Sequence, residues 1–158
     1  MERIKIDFDA FCKRVEAYRE NIADPDRQKD SCEAAYEGLY KLIQRINKEL
    51  QSGALNRQES SICHEIHDDH FLNGLLELRT VGTHIQSDTA KKRGYFQIYV
   101  PSGQPVVIPC EVSAGSAFSK NIFSLPKPSS GIDKINHLEN LNVAKERIAK
   151  KLGVILKS

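Results

Sequence analysis

The spacing of the apolar residues changes once along this chain, and that change constrains the fold more than any other feature. Over the first ninety residues apolar side chains recur at three- and four-residue intervals, which gathers them on one helix face. Phe8, Phe11, Cys12, Val15, Tyr18 and Ile22 make the first such stripe. After Lys91-Lys92-Arg93-Gly94 the interval becomes two: Phe96, Ile98 and Val100 alternate with Tyr95, Gln97 and Tyr99, and Val106, Ile108, Cys110 and Val112 alternate further on. Period two belongs to strands. The expected fold is mainly α, an up-and-down helical bundle with a β-hairpin inserted before the C-terminal helix.

Local signals set the boundaries. Asp24-Pro25-Asp26 stops the first helix, because proline lacks a donor and restricts the residue before it. A second helix runs from about Gln28 to Gln51, with Gly53 placed for a left-handed cap. Asn56 offers an N-cap, with Glu59 at capping-box spacing. The helical region it opens reaches about Ser87 and breaks near Asp68-Asp69, where an aspartate can cap a fresh helix. Pro101-Ser102-Gly103-Gln104 is turn chemistry, and Pro105 and Pro109 mark the second strand as short or as an edge. Residues 113–131, rich in Ser, Gly and Pro, read as a loop packed through Phe118, Ile122 and Phe123. Asp133 caps a last helix that ends at Gly153. At 158 residues this is one domain, with the bundle at 1–90, the hairpin at 94–112 and the last helix at 133–153.

Composition excludes several classes. No run of twenty apolar residues exists, so no membrane helix is expected. The N-terminus is charged from its second residue and has no apolar core of a signal peptide. Cys12, Cys32, Cys63 and Cys110 form no C-x-x-C pair, which suits reduced thiols in the cytoplasm, with Cys12 and Cys32 as small core residues. The net charge of +2 hides an asymmetry. Residues 1–88 carry 12 Lys/Arg against 17 Asp/Glu, and residues 89–158 carry 11 against 4. A basic half is a pointer to nucleic acid.

Two clusters carry chemistry. Cys63, His64, His67 and His70, with Asp68 and Asp69, would bring metal ligands onto one arc of a continuous helix. No second ligand pair accompanies them, and the competing reading is a wet helix junction; no metal or cofactor is expected. Arg79-Thr80-Val81-Gly82-Thr83-His84 places a bidentate phosphate ligand before a side chain that titrates near neutrality. That pairing is the minimum for cleaving a phosphodiester without a metal. Arg57 and His64 make a second pair with six residues between them, so context decides, and Arg79 and His84 sit late in an apolar helical region where ionisable groups need a reason. The competing reading is an Arg79 ion pair with Glu77 or a neighbouring helix and a polar rim histidine. Residues five apart on an ideal helix diverge by about 140°; a kink at Gly82, or completion of the site across a dimer, would reconcile them.

A helical bundle with an arginine and a histidine separated by four to six intervening residues late in it resembles the HEPN superfamily (higher eukaryotes and prokaryotes nucleotide-binding domain). The likeness covers roughly residues 7–90 and extends to the last helix. It implies a metal-independent endoribonuclease or RNA-binding protein of a toxin–antitoxin or phage-defence system, acting as a homodimer. Arg79 would hold the phosphate, and His84 would serve in acid/base chemistry on the 2′-hydroxyl. Thr80 stands where the family most often has asparagine. Lys91, Lys92 and Arg93, followed by Tyr95, Phe96 and Tyr99, fit an RNA-binding surface as well as they fit a solvated helix end. The rival function is a non-catalytic helical module that docks an antitoxin or another protein partner.

Overall fold

A computed structural model describes residues 1–24, 26–77, 91–98, 106–113, 122–124, 132 and 136–157. Along the chain these form α1 (Glu2–Glu20), α2 (Gln28–Ser52), α3 (Arg57–His67), α4 (His70–Glu77), β1 (Lys91–Ile98), β2 (Val106–Ser113), β3 (Ile122–Ser124) and α5 (His137–Leu152). The described fold is mainly helical. No helix among the described residues is long and apolar enough to cross a membrane.

The core follows from the stripes. Ile4, Phe8, Phe11, Val15 and Tyr18 of α1 are buried against Cys32, Ala35, Leu39, Leu42 and Ile46 of α2. Ile66 of α3, Leu72 and Leu75 of α4, and Leu141, Ala144 and Ile148 of α5 close the same cluster. Each fully buried large aliphatic side chain contributes about 1.5–3 kcal/mol of transfer free energy. The helices α1 and α2 run antiparallel: Asp7 meets Arg45 at 3.0 Å, and Arg14 Nη1 donates to the Ala34 carbonyl at 3.2 Å. Gly38 lets them approach, since a Cβ there would meet Arg14 Cδ at 3.0 Å and Phe11 Cα at 3.3 Å. That spacing would force backbone or side chain to shift.

The helix ends are set by short-range chemistry. The first helix stops at Glu20, earlier than the proline at 25 requires, and the chain turns through backbone bonds from Ile22 to Arg19 and from Asp24 to Asn21. Buried Gln28 donates Nε2 to the Ile22 carbonyl at 2.6 Å and so satisfies that turn. At the far end of α2, Gly53 takes φ 68°, the left-handed cap its position called for. The start of α3 is the expected capping box: Asn56 Oδ1 accepts from Glu59 N at 2.9 Å, and Glu59 accepts from Asn56 N at 3.0 Å.

Three sequence expectations need correction. The inserted β-element is not a two-stranded hairpin over 94–112. Its described strands pair as a three-stranded antiparallel sheet in the order β2-β1-β3, so β1 is central. The third strand, Ile122–Ser124, lies inside the stretch read as loop; three residues are too few to carry a periodic signal, and their partner is non-local. The reversal over 99–105 lies outside the described residues. The basic tract is not a helix end either: Lys91, Lys92 and Arg93 open β1, in register with Ser113, Val112 and Glu111. Finally, α5 begins at His137 with Asn136 as its cap, accepting from Glu139 N at 3.0 Å. Asn136 serves as well as an aspartate would, and Asp133 lies outside the described residues.

Candidate functional site

The α3–α4 junction gathers several long-range polar contacts of the described bundle. Asp69 ends the turn after α3, and its Oδ1 accepts from the Phe71 and Leu72 amides at 3.0 and 3.1 Å, capping α4. Its Oδ2 is held by Arg147 Nη1 and Lys151 Nζ of α5, both at 3.2 Å. The carboxylate is only 5% exposed. Burial opposes its charge, but the Leu72 amide, Lys151 and Arg147 outweigh burial and hold the carboxyl below the usual range. Arg147 also stands over the Phe71 ring, 4.9 Å from its centroid, where a cation–π contact adds to the clamp. Lys151 donates a second bond to the Glu65 carbonyl at 2.7 Å, and Asn73 Nδ2 donates to the His67 carbonyl at 3.0 Å. The orphan carbonyls at the end of α3 are thereby satisfied. Arg79, Thr80 and His84 lie outside the described residues; Glu77, two positions before Arg79, is the last described residue of α4.

The metal reading fails on geometry. The arc that joined Cys63, His67 and His70 needed one continuous helix, and the chain instead breaks at Asp68-Asp69 between α3 and α4. Cys63 is fully buried in the core, and burial pushes its thiol up. His64 and His70 are exposed, and His67 Nδ1 donates to the exposed Asp68 at 2.9 Å. That bond holds the Asp68 carboxyl below its usual range. Among the described residues no group of three His, Cys, Asp or Glu comes together as a metal would need. The junction is structural: one aspartate faces water and the next locks two helices.

Two further polar contacts tie α5 to the bundle, and neither was read from the sequence. The Tyr36 hydroxyl of α2 hydrogen-bonds Nδ1 of fully buried His137, with the two rings edge to face. Burial lowers the His137 pKa to about 4, so the imidazole is neutral at physiological pH. Lys145 Nζ, largely buried, bonds Glu16 at 2.9 Å. That bond with Lys145, set against a smaller opposing effect of burial, keeps Glu16 below the usual carboxylate range. Lys145 also lines a cavity of about 440 Å³ with Cys12 and residues 154–157. Burial pushes the Cys12 thiol up to about 11, so it is no thiolate nucleophile at neutral pH. Sequence separation hid these contacts: 101 positions divide Tyr36 from His137 and 129 divide Glu16 from Lys145.

Comparison of the chain with family models, with curated proteins and with solved structures finds no match.

Proposed function

We propose that this chain acts on RNA as a HEPN-like protein, a metal-independent endoribonuclease or RNA binder of a toxin–antitoxin or phage-defence type system. In this reading Arg79 holds a phosphate, His84 moves the proton of the attacking 2′-hydroxyl, and Thr80 takes the position next to Arg79 that most often carries asparagine in that superfamily. A homodimer brings two such pairs to one cleft. The basic tract Lys91, Lys92 and Arg93 supplies phosphate contacts. The supporting observation is positional: the arginine–histidine pair follows directly on α4, a helix fastened through Asp69 to Arg147 and Lys151. A cleavage site needs its phosphate ligand and base held to well under an ångström, and a helix fastened at its start suits that task.

The test is incubation of a mixed RNA pool with the protein in EDTA, alongside Arg79→Ala and His84→Ala. The reading predicts cleavage by the wild type alone, with 2′,3′-cyclic phosphate ends. Equal cleavage by both variants would overturn the assigned roles.

A second reading, a non-catalytic module for a protein partner, draws on Val106 and Ile108. They stand two apart on β2 with 48% and 46% of their surfaces exposed. Salt separates the two, because affinity for phosphates falls steeply as salt rises whereas apolar docking does not.

A further inference from the structure

We infer that the seam between α1 and α2 is a second RNA-contacting surface, a cationic trough that tracks the phosphodiester backbone of a single strand. It rests on the RNA-directed reading for its choice of polymer, but not on the chemistry at Arg79 and His84. Lys41, Arg45 and Lys48 follow one another on one face of α2, and with Gln44 and Asp7 they line a trough of about 270 Å³. Like charges at three- and four-residue spacing cost a few tenths of a kcal/mol per pair in an isolated helix. Little on the described surface offsets that cost. Asp7 pairs with Arg45 at 3.0 Å, and Glu37 reaches Lys41 only at 3.8 Å with both side chains more than half exposed. Farther along the same seam Arg14 lies over Gly38 and reaches the Ala34 carbonyl, where a Cβ at position 38 would crowd its Cδ at 3.0 Å. Three cations against one carboxylate thus line the trough, within residues 1–88, whose net charge is negative.

The arrangement suits a polymer better than a compact anion. At 1.5 Å rise per residue the three α2 cations spread over about 10 Å of helix axis and do not converge on one point. Asp7 is paired with Arg45 between the two lysines, where it repels a small anion but leaves phosphates on either side to Lys48 and to Lys41, whose exposed pair with Glu37 is long. An extended strand meets both outer lysines at once.

The probe is a short labelled single-stranded RNA with 2′-O-methyl riboses, which cannot be cut through its own 2′-oxygen. Binding is followed by anisotropy from about 50 to 200 mM salt, the range in which counterion release is steep. Lys41→Gln/Lys48→Gln is expected to weaken binding roughly tenfold at low salt and to lower the slope of log K against log salt by about 1.4, two phosphate contacts' worth. The melting temperature should hold, since both side chains are exposed. An unchanged slope, absence of RNA binding by the wild type, or equally effective competition by polyglutamate would overturn the inference. Failure of cleavage in the EDTA experiment with binding and slope as expected would sink the nuclease reading and leave this surface standing.

Discussion

Among the described helices α3, α4 and α5 start on a side-chain cap, and the first two are held in opposite ways. The cap of α3 is closed by its own helix: Asn56 and Glu59 satisfy each other's backbone amides on the surface, three residues apart. The cap of α4 is closed from across the molecule, with Asp69 buried and gripped by Arg147 and Lys151, about eighty positions later. A local cap stabilises one helix end and nothing else. A tertiary cap fixes one helix relative to another, and α4 is the helix from which the chain runs on to Arg79 and His84.

Acid gives the largest contrast between locally and remotely fastened parts. The start of α5 is secured through His137, whose folded pKa of about 4 lies below the ordinary 6.5. The unfolded chain therefore takes up a proton between those values that the folded chain refuses. Stability is complete above pH 6.5 and falls as pH drops toward 4, by about 3 kcal/mol. Denaturant titrations at pH 7 and pH 5 are expected to differ by about 2 kcal/mol of it. Asp69 and Glu16, with lowered carboxyl pKa values, lose their contributions only at lower pH, as it falls through their folded pKa values. His137→Phe is therefore expected to flatten the curve between pH 6.5 and about 5. A curve of unaltered slope would assign the loss elsewhere.

Next in size is Asp69→Ala, which removes a cap and leaves two cations facing an emptied site. With Arg147 half exposed the cost is about 2 kcal/mol, read as a lower melting temperature. Amide exchange should speed up in α4 before α1 and α2. Asn56→Ala is expected to cost about 1 kcal/mol and to quicken exchange only in the first turn of α3. Equal and equally local effects of the two substitutions would erase the distinction.

The same contrast explains what was legible in the sequence. The apolar stripes, the Gly53 cap and the Asn56–Glu59 box are written within a few positions, so period and spacing reveal them. The break at Asp68-Asp69 was readable as a capping signal, but nothing nearby told that Asp69 would be buried and Asp68 left in water. Arg147 and Lys151 decide that, and they lie on another helix. The Tyr36–His137 pair and the strand at Ile122–Ser124 share this blindness, since each depends on a partner remote in sequence. The start of α5 at Asn136 was a simpler miss: Asn136 and Glu139 carry the same spacing as Asn56 and Glu59, and Asp133 drew the boundary three residues early. Of the candidate catalytic residues, the bundle frames only the helix that precedes them.

The central claim is that α4 is fastened by α5 through Asp69, and a double-mutant cycle tests it most directly. Asp69→Ala and Lys151→Ala, alone and together, are compared by denaturant unfolding at pH 7. The clamp predicts a coupling energy of about 1 kcal/mol or more, with the double variant less destabilised than the sum of the single ones. Additive costs would mean that α4 stands without its partner helix.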